Sequence, residues 1–235
     1  MHMMGRTLIL TIAVGFSVSS VFGQAGTPIQ TGFVAATPVV GFGQGLIVFG
    51  RFGYRAGSDV FQSTGWAGAV IASTALVVNS DTASGQNTGI SIVNPSGSAA
   101  SISLTLRNRE GTIIGTRAIV LDALHQISQF VGEFFDQVDV TGLLSINSTA
   151  PIAVVGFQFK GTSFSLVPTR SPLGETALLI PQFVTGGGWS TDVVIANTTD
   201  STQVVRVDFY NPAGVIIATL PNVTLPAGGV TVINR

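Results

Sequence analysis

Outside its first residues the chain carries one histidine, His125 in LDALHQISQF, flanked by Asp122 and Ser128. An acid, a base and a hydroxyl this close together invite comparison with a hydrolase triad. Such a triad needs its serine on a strained, exposed turn facing oxyanion donors, and nothing here resembles Gly-x-Ser-x-Gly. A polar residue on the solvent face of a strand accounts better for His125. One usable histidine and no cysteine exclude ordinary zinc sites. Glu133, Asp136 and Asp139 form the densest acidic group, without the Asp-x-Asp-x-Asp spacing of a calcium loop.

Two further groups of residues suggest binding. The stretch GFGQGLIVFGRFGYRAG, from Gly41 to Gly57, is glycine-rich, but no Gly-x-Gly-x-x-Gly opens a helix with an acid about twenty residues on. Strands with bulges or close backbone contacts explain these glycines, with Phe49, Phe52 and Tyr54 filling or flanking a sheet face. Tyr54, Trp66 and Trp189 are the candidate ligand platform, since flat aromatic faces with polar edges bind sugars. A glycine-flanked Trp plugging the end of a sandwich is the structural alternative for Trp189. The expected assignment is therefore no enzyme, no cofactor and no metal. The sequons at Asn147, Asn197 and Asn222 carry weight only in a eukaryotic secretory protein.

The elements that hold these residues must be read from composition and pattern. The 235 residues are 46% hydrophobic and only 9% charged, with a net charge of -1 and a pI near 6.0. That is enough apolar material for sizeable cores, and it offers no basic footprint for nucleic acid. Low charge with abundant Gly, Ser, Thr and Val fits an extracellular β-protein. The start, MHMMGRTLILTIAVGFSVSSVFGQAG, has one Arg, an apolar run and then small residues, the three-part form of a signal peptide over residues 1–23 cut near Gly23 or Ala25. An uncleaved anchor is the alternative, but the run is short and interrupted by serines. After cleavage no membrane span is expected. Without cysteine, an exported chain must be stabilised by core burial and backbone ladders alone. An outer-membrane barrel would suit the mean hydropathy of +0.54, but not the scarcity of Trp and Tyr or the long repeat.

That repeat is the clearest feature of the chain. Aligning Asn94 with Asn197 also superimposes Phe61 on Phe164, Gly85 on Gly188, Thr88 on Thr191, Asn108 on Asn211 and Gly111 on Gly214, without a gap. Ile102, Leu104 and Leu106 alternate with polar residues, as Val205, Val207 and Phe209 alternate with their neighbours, which predicts half-buried strands in both copies. NREG and NPAG are turns, with Asn able to bond its own backbone and Gly able to take a positive φ. Thr141–Phe164 resembles Thr31–Phe61, with Phe52 and Tyr54 opposite Phe157 and Phe159. A period of about 100 residues with short strands matches an immunoglobulin-like β-sandwich. SQFVGEFF places Val131, Phe134 and Phe135 at helical spacing after Ser128 as a cap, predicting a helical turn over residues 128–135.

PQFVTGGGWSTDVVIANTTD, from Pro181 to Asp200, followed by VDFYNPAG and preceded by GRFGYR, resembles a group of tandem-repeat proteins secreted by environmental bacteria, in which a Gly-Gly-Gly-Trp turn precedes a strand ending in Asn. The resemblance implies an Ig-like or fibronectin-like sandwich and a surface or extracellular role, and it supplies no catalytic residues. The first copy departs from the pattern, with Ser84, Gly85 and Gln86 where the second has Gly187, Gly188 and Trp189. The expected architecture is all-β: a complete sandwich over residues 76–181 and a composite one from residues 24–75 and 182–235. Closure of the composite within one chain is favoured by local concentration; closure between chains would give head-to-tail strand complementation. The expected role is a secreted, non-catalytic structural or adhesive protein, with itself, other surface proteins or glycans as partners. The alternative is a carbohydrate-binding module.

Overall fold

The computed structural model describes residues 13–14, 32–35, 49–56, 59–66, 70–137, 139–161, 163–169 and 178–234, with backbone only for 13–14, 49–56 and 59–66. The chain is all-β and antiparallel, with one short helix among the described residues. Near the N-terminus β1 (Ala13–Val14) pairs with β2 (Gly32–Phe33). The rest of the expected signal segment lies outside the described residues. A hairpin follows, β3 (Phe49–Ala56) with β4 (Asp59–Trp66), in the register Tyr54↔Phe61.

The central unit contains β5 (Ile71–Ser80), β6 (Gln86–Val93), β7 (Ala100–Asn108), β8 (Ile113–Leu121), β9 (Gln126–Phe130), α1 (Val131–Phe135), β10 (Val140–Lys160) and β11 (Ser163–Val167). Its organiser is β10, 21 residues long. The first half of β10 pairs with β5 on one edge and β7 on the other; the second half pairs with β6 and β11. β8 extends the first group beyond β7, and β9 extends the second beyond β6. The change of neighbours falls where the β5 ladder shifts register between Asn147 and Ile152. Pro151 sits in that interval and cannot donate to a ladder. Thr149 Oγ1 accepts the Ser101 N–H there at 3.0 Å, replacing a ladder bond with a side-chain one.

Burial in β7 alternates as the apolar pattern requires, with Ala100, Ile102, Leu104 and Leu106 buried and Ser101 and Ser103 exposed. These residues meet Leu76 and Val78 of β5, Ile90 and Ile92 of β6, and Leu144, Ile146, Ile152 and Val154 of β10 in one apolar core. Gly142 lets β10 approach β7 closely, since a Cβ there would lie 1.9 Å from Arg107 O. The expected turns form at both NREG and NPAG. Asn108 Oδ1 accepts from Thr112 N at 2.8 Å, Asn211 Oδ1 from Val215 N at 2.9 Å, and Gly111 and Gly214 have φ of 88° and 78°.

Two local expectations are corrected. The helix spans Val131–Phe135, and Ser128 belongs to β9 instead of capping it. The Glu133 carboxylate reaches back to accept the N–H of Phe130, the residue that precedes the helix, at 2.8 Å. Val131 and Phe134 still enter the core from this turn, as their spacing predicted. Val140–Lys160 is one continuous strand. β5 also spans the expected boundary between residues 75 and 76, pairing with β10 along its length.

The C-terminal unit has two separate ladders: β12 (Asp192–Ala196) with β15 (Val230–Asn234), and β13 (Gln203–Tyr210) with β14 (Ile216–Leu225). Among the described residues no pairing joins β3 or β4 to β12–β15. No helix of the described residues is long and apolar enough to cross a membrane.

The fully buried Leu104 and its exposed neighbour Ser103 test this register. Leu104→Ala should cost about 2–5 kcal/mol in denaturant unfolding, whereas Ser103→Ala should change stability by no more than about 0.5 kcal/mol. Equal effects would place the register one residue out.

Candidate functional site

The residues with potential chemistry are dispersed and engaged in structure. His125 lies in the turn between β8 and β9, not on a strand face as expected. Its exposed ring places Nδ1 2.8 Å from Ala123 O. Ser128 Oγ donates to Ser91 Oγ at 2.9 Å, and Gln126 Nε2 donates to both hydroxyls, forming a polar ladder across β6 and β9. The Asp122 carbonyl, not its carboxylate, accepts the His125 N–H. Asp136 closes α1 in the left-handed conformation, while the Asp139 carboxylate accepts from Thr82 N at 2.7 Å. Among the described residues no group of three or more His, Asp or Glu could hold a metal ion.

The three aromatic candidates occupy separate places. Tyr54 stands opposite Phe61 near the β3–β4 turn, and Trp66 stands opposite Phe49 at the open end of the hairpin. Their backbone positions lie five ladder steps apart, roughly 17 Å at the usual strand rise. Trp189 closes a tight turn in which Gly186, Gly187 and Gly188 all have positive φ, and it is 72% exposed. Only glycine takes three such angles in succession without strain, so the Gly-Gly-Gly run is what presents this ring to solvent.

A feature less visible in sequence is a pair of matching polar networks. Asn94 is fully buried; its Nδ2 donates to the carbonyls of Ser98, Leu121 and Asp122, and its Oδ1 accepts from Ser96 N and Oγ. Asn197 is also buried; its Nδ2 donates to Ser201, Leu225 and Pro226, and its Oδ1 accepts from Thr199 N and Oγ1. Each asparagine thus ties the exit of one strand pair to the end of the other. The β12–β15 and β13–β14 ladders therefore correspond to β6–β9 and β7–β8.

The central pairs, however, are bridged by β10, whereas among the described residues no strand bridges β12 to β13. The cost appears in burial. Ile92, Ile102 and Leu104 are buried, while their counterparts Ile195, Val205 and Val207 are only half-buried. Val194 is exposed where its counterpart Ser91 is buried, whereas Ile216 and Ile217 are exposed as their counterparts Ile113 and Ile114 are. Phe209 is covered, with Phe183 stacked edge-on at 5.3 Å. The candidate interaction site is therefore the open edge of β12 and the apolar surface around it.

The unit rests on the central one through a small contact. Val230 packs on Ala75 and Leu143, and its N–H donates to Arg109 O at 2.9 Å. Beside this contact is a polar cleft of about 270 Å³ lined by residues that include Ser73, Thr74, Asn147, Arg107 and Asp200. Arg107 and Asp200 approach to 3.7 Å across it. Asp200 is the only carboxylate in its lining, so the cleft has no pair of acids for acid–base work.

No family model and no curated protein matches the chain. Among solved structures, one described as "Crystal Structure of Thermotoga maritima 1070" is similar at a TM-score of 0.33 and 10% identity, over 44% of this chain and 91% of that one.

The asparagine networks and one carboxylate give two expected outcomes. Asn94→Ala and Asn197→Ala should each cost ~1–3 kcal/mol in unfolding free energy, because buried carbonyls lose their donor; exposed Asn222→Ala should stay within about 0.5 kcal/mol. The Thr219 hydroxyl donating to Asp208 at 2.6 Å, with Arg206 beside it, holds that carboxyl below its usual pKa. A depressed folded pKa stabilises above the unfolded value and loses that stabilisation as pH falls through the folded one. Asp208→Asn should therefore melt below the wild type at neutral pH, and the gap should close on acidification.

Proposed function

We propose that this protein is a secreted, non-catalytic structural or adhesive component of the cell surface or extracellular material, built from Ig-like repeats of about 100 residues. The observation that carries this reading is the C-terminal unit. It keeps the Asn197 network of a complete unit, yet leaves an unbridged strand edge and exposed apolar side chains. An open strand edge of this kind is a template for pairing with another chain. The engagement of Ser128, Asp136 and Asp139 in ladder, cap and turn bonds supports a non-catalytic role. The signal-like first residues support export, with cleavage near Gly23 or Ala25.

A carbohydrate-binding role is favoured by one observation, the exposed Trp189 on its glycine turn. A glycan array with the wild type and Trp189→Ala separates the two. The structural reading expects no glycan signal that depends on Trp189; reproducible binding abolished by the substitution would establish the carbohydrate reading in its place.

A further inference from the structure

In the central unit the open side of β6 is filled by the second half of β10, whose other edge carries β11. The β3–β4 hairpin repeats that arrangement in backbone register. Phe159 faces Phe164 across β10 and β11, and Tyr54 faces Phe61 across β3 and β4, at positions the sequence alignment matches independently. β4 therefore stands where β11 stands, and β3 where the second half of β10 stands. Among the described residues the far edge of β3 has no ladder partner, and neither does the far edge of β12, the counterpart of β6. Each is the half of a pairing that the central unit makes.

Among the described residues the two edges share no ladder within one chain. β4 runs beside β11, which pairs with the second half of β10. The C-terminal unit is anchored instead at Ala75, Leu143 and Arg109, on β5, the first half of β10 and the β7–β8 turn. We infer that the open edge of β12 receives β3 from a second copy of this chain, by antiparallel strand addition in the register of β10 on β6. This inference rests on the structural reading above and gives it a partner.

Transferring the observed pairs Val155↔Ser91 and Phe157↔Gly89 sets Gly50 opposite Val194 and Phe52 opposite Asp192. Donor and receiver are different surfaces, so each copy gives one strand and takes one. The contact is heterologous, and repetition extends it into an open head-to-tail chain. It would bury the strand edge beside Val194, which is now exposed.

The absence of native cysteine makes a direct test clean. Full-length single variants are mixed and oxidised with diamide: Gly50→Cys with Val194→Cys, and Phe52→Cys with Asp192→Cys. Directly opposed residues lie within disulfide range, whereas Phe52→Cys with Val194→Cys is a diagonal pair beyond it. Circular dichroism and melting verify that each variant folds, and the two matched pairs guard against one bad substitution. Heterodimers from the matched pairs, lost in the diagonal pair, are expected. A chain carrying both Gly50→Cys and Val194→Cys should then give a ladder of oligomers. Folded matched variants that do not cross-link overturn the inference, as does cross-linking of matched and diagonal pairs alike. A disulfide formed inside the monomeric double variant overturns it as well, because the strand would then come from the same chain. Missing cross-links leave the structural reading standing, whereas Trp189-dependent glycan binding removes that reading and leaves the cross-links untouched.

Discussion

The continuity of β10 is the constraint on which the central unit depends. One strand of 21 residues supplies ladder partners to β5 and β7 with its first half and to β6 and β11 with its second. In a chain without cysteine, no disulfide can tie the two strand groups together. The covalent backbone of β10 does so, and the apolar residues on both halves, from Val140 to Val154, complete the core that the groups share. The conditions for this are local: Gly142 where backbone meets backbone, and Pro151 with Thr149 where the ladder changes neighbours. α1 closes the core by inserting Val131 and Phe134.

The C-terminal unit shows what remains when the bridging strand is missing. Its hairpin ladders, its NPAG turn and the Asn197 network all form, because each is made from bonds among neighbouring strand ends. Its core does not close. Val205 and Val207 keep the alternation of Ile102 and Leu104 but reach only partial burial, and among the described residues no strand lies across them. Polar networks and apolar closure are thus separable here. The first depends on short-range geometry, and the second on whether a long partner is present.

Several residues whose types suggested reaction chemistry make bonds to the framework. Glu133 satisfies the N–H of Phe130 just ahead of α1, Asp139 pins the β5–β6 turn through Thr82, and Ser128 shares a hydroxyl ladder with Ser91. In a chain this poor in charge, each ionised side chain is available to satisfy backbone groups that would otherwise be orphaned. Trp189 stands outside this pattern, exposed at a turn that only glycines could build.

Much of this was legible in the residues themselves. Alternation marked β7 and β13, Asn and Gly marked the two turns, and the spacing of Val131, Phe134 and Phe135 marked the helix, because periodicity and turn geometry are set within a few residues. The alignment of Asn94 with Asn197 located the buried asparagines without revealing that their side chains join strand ends. What sequence could not decide was partnership. Ser128 looked like a helix cap, but its hydroxyl found Ser91 on β6; residues 141–160 belong to one strand shared by four neighbours, which no local pattern specifies. The β3–β4 hairpin, expected to complete the C-terminal unit, lies beside β11. Strand patterns say which face is apolar, whereas the choice of edge is made by backbone groups that are alike in every residue and by long-range burial. The tertiary structure alone resolves that choice.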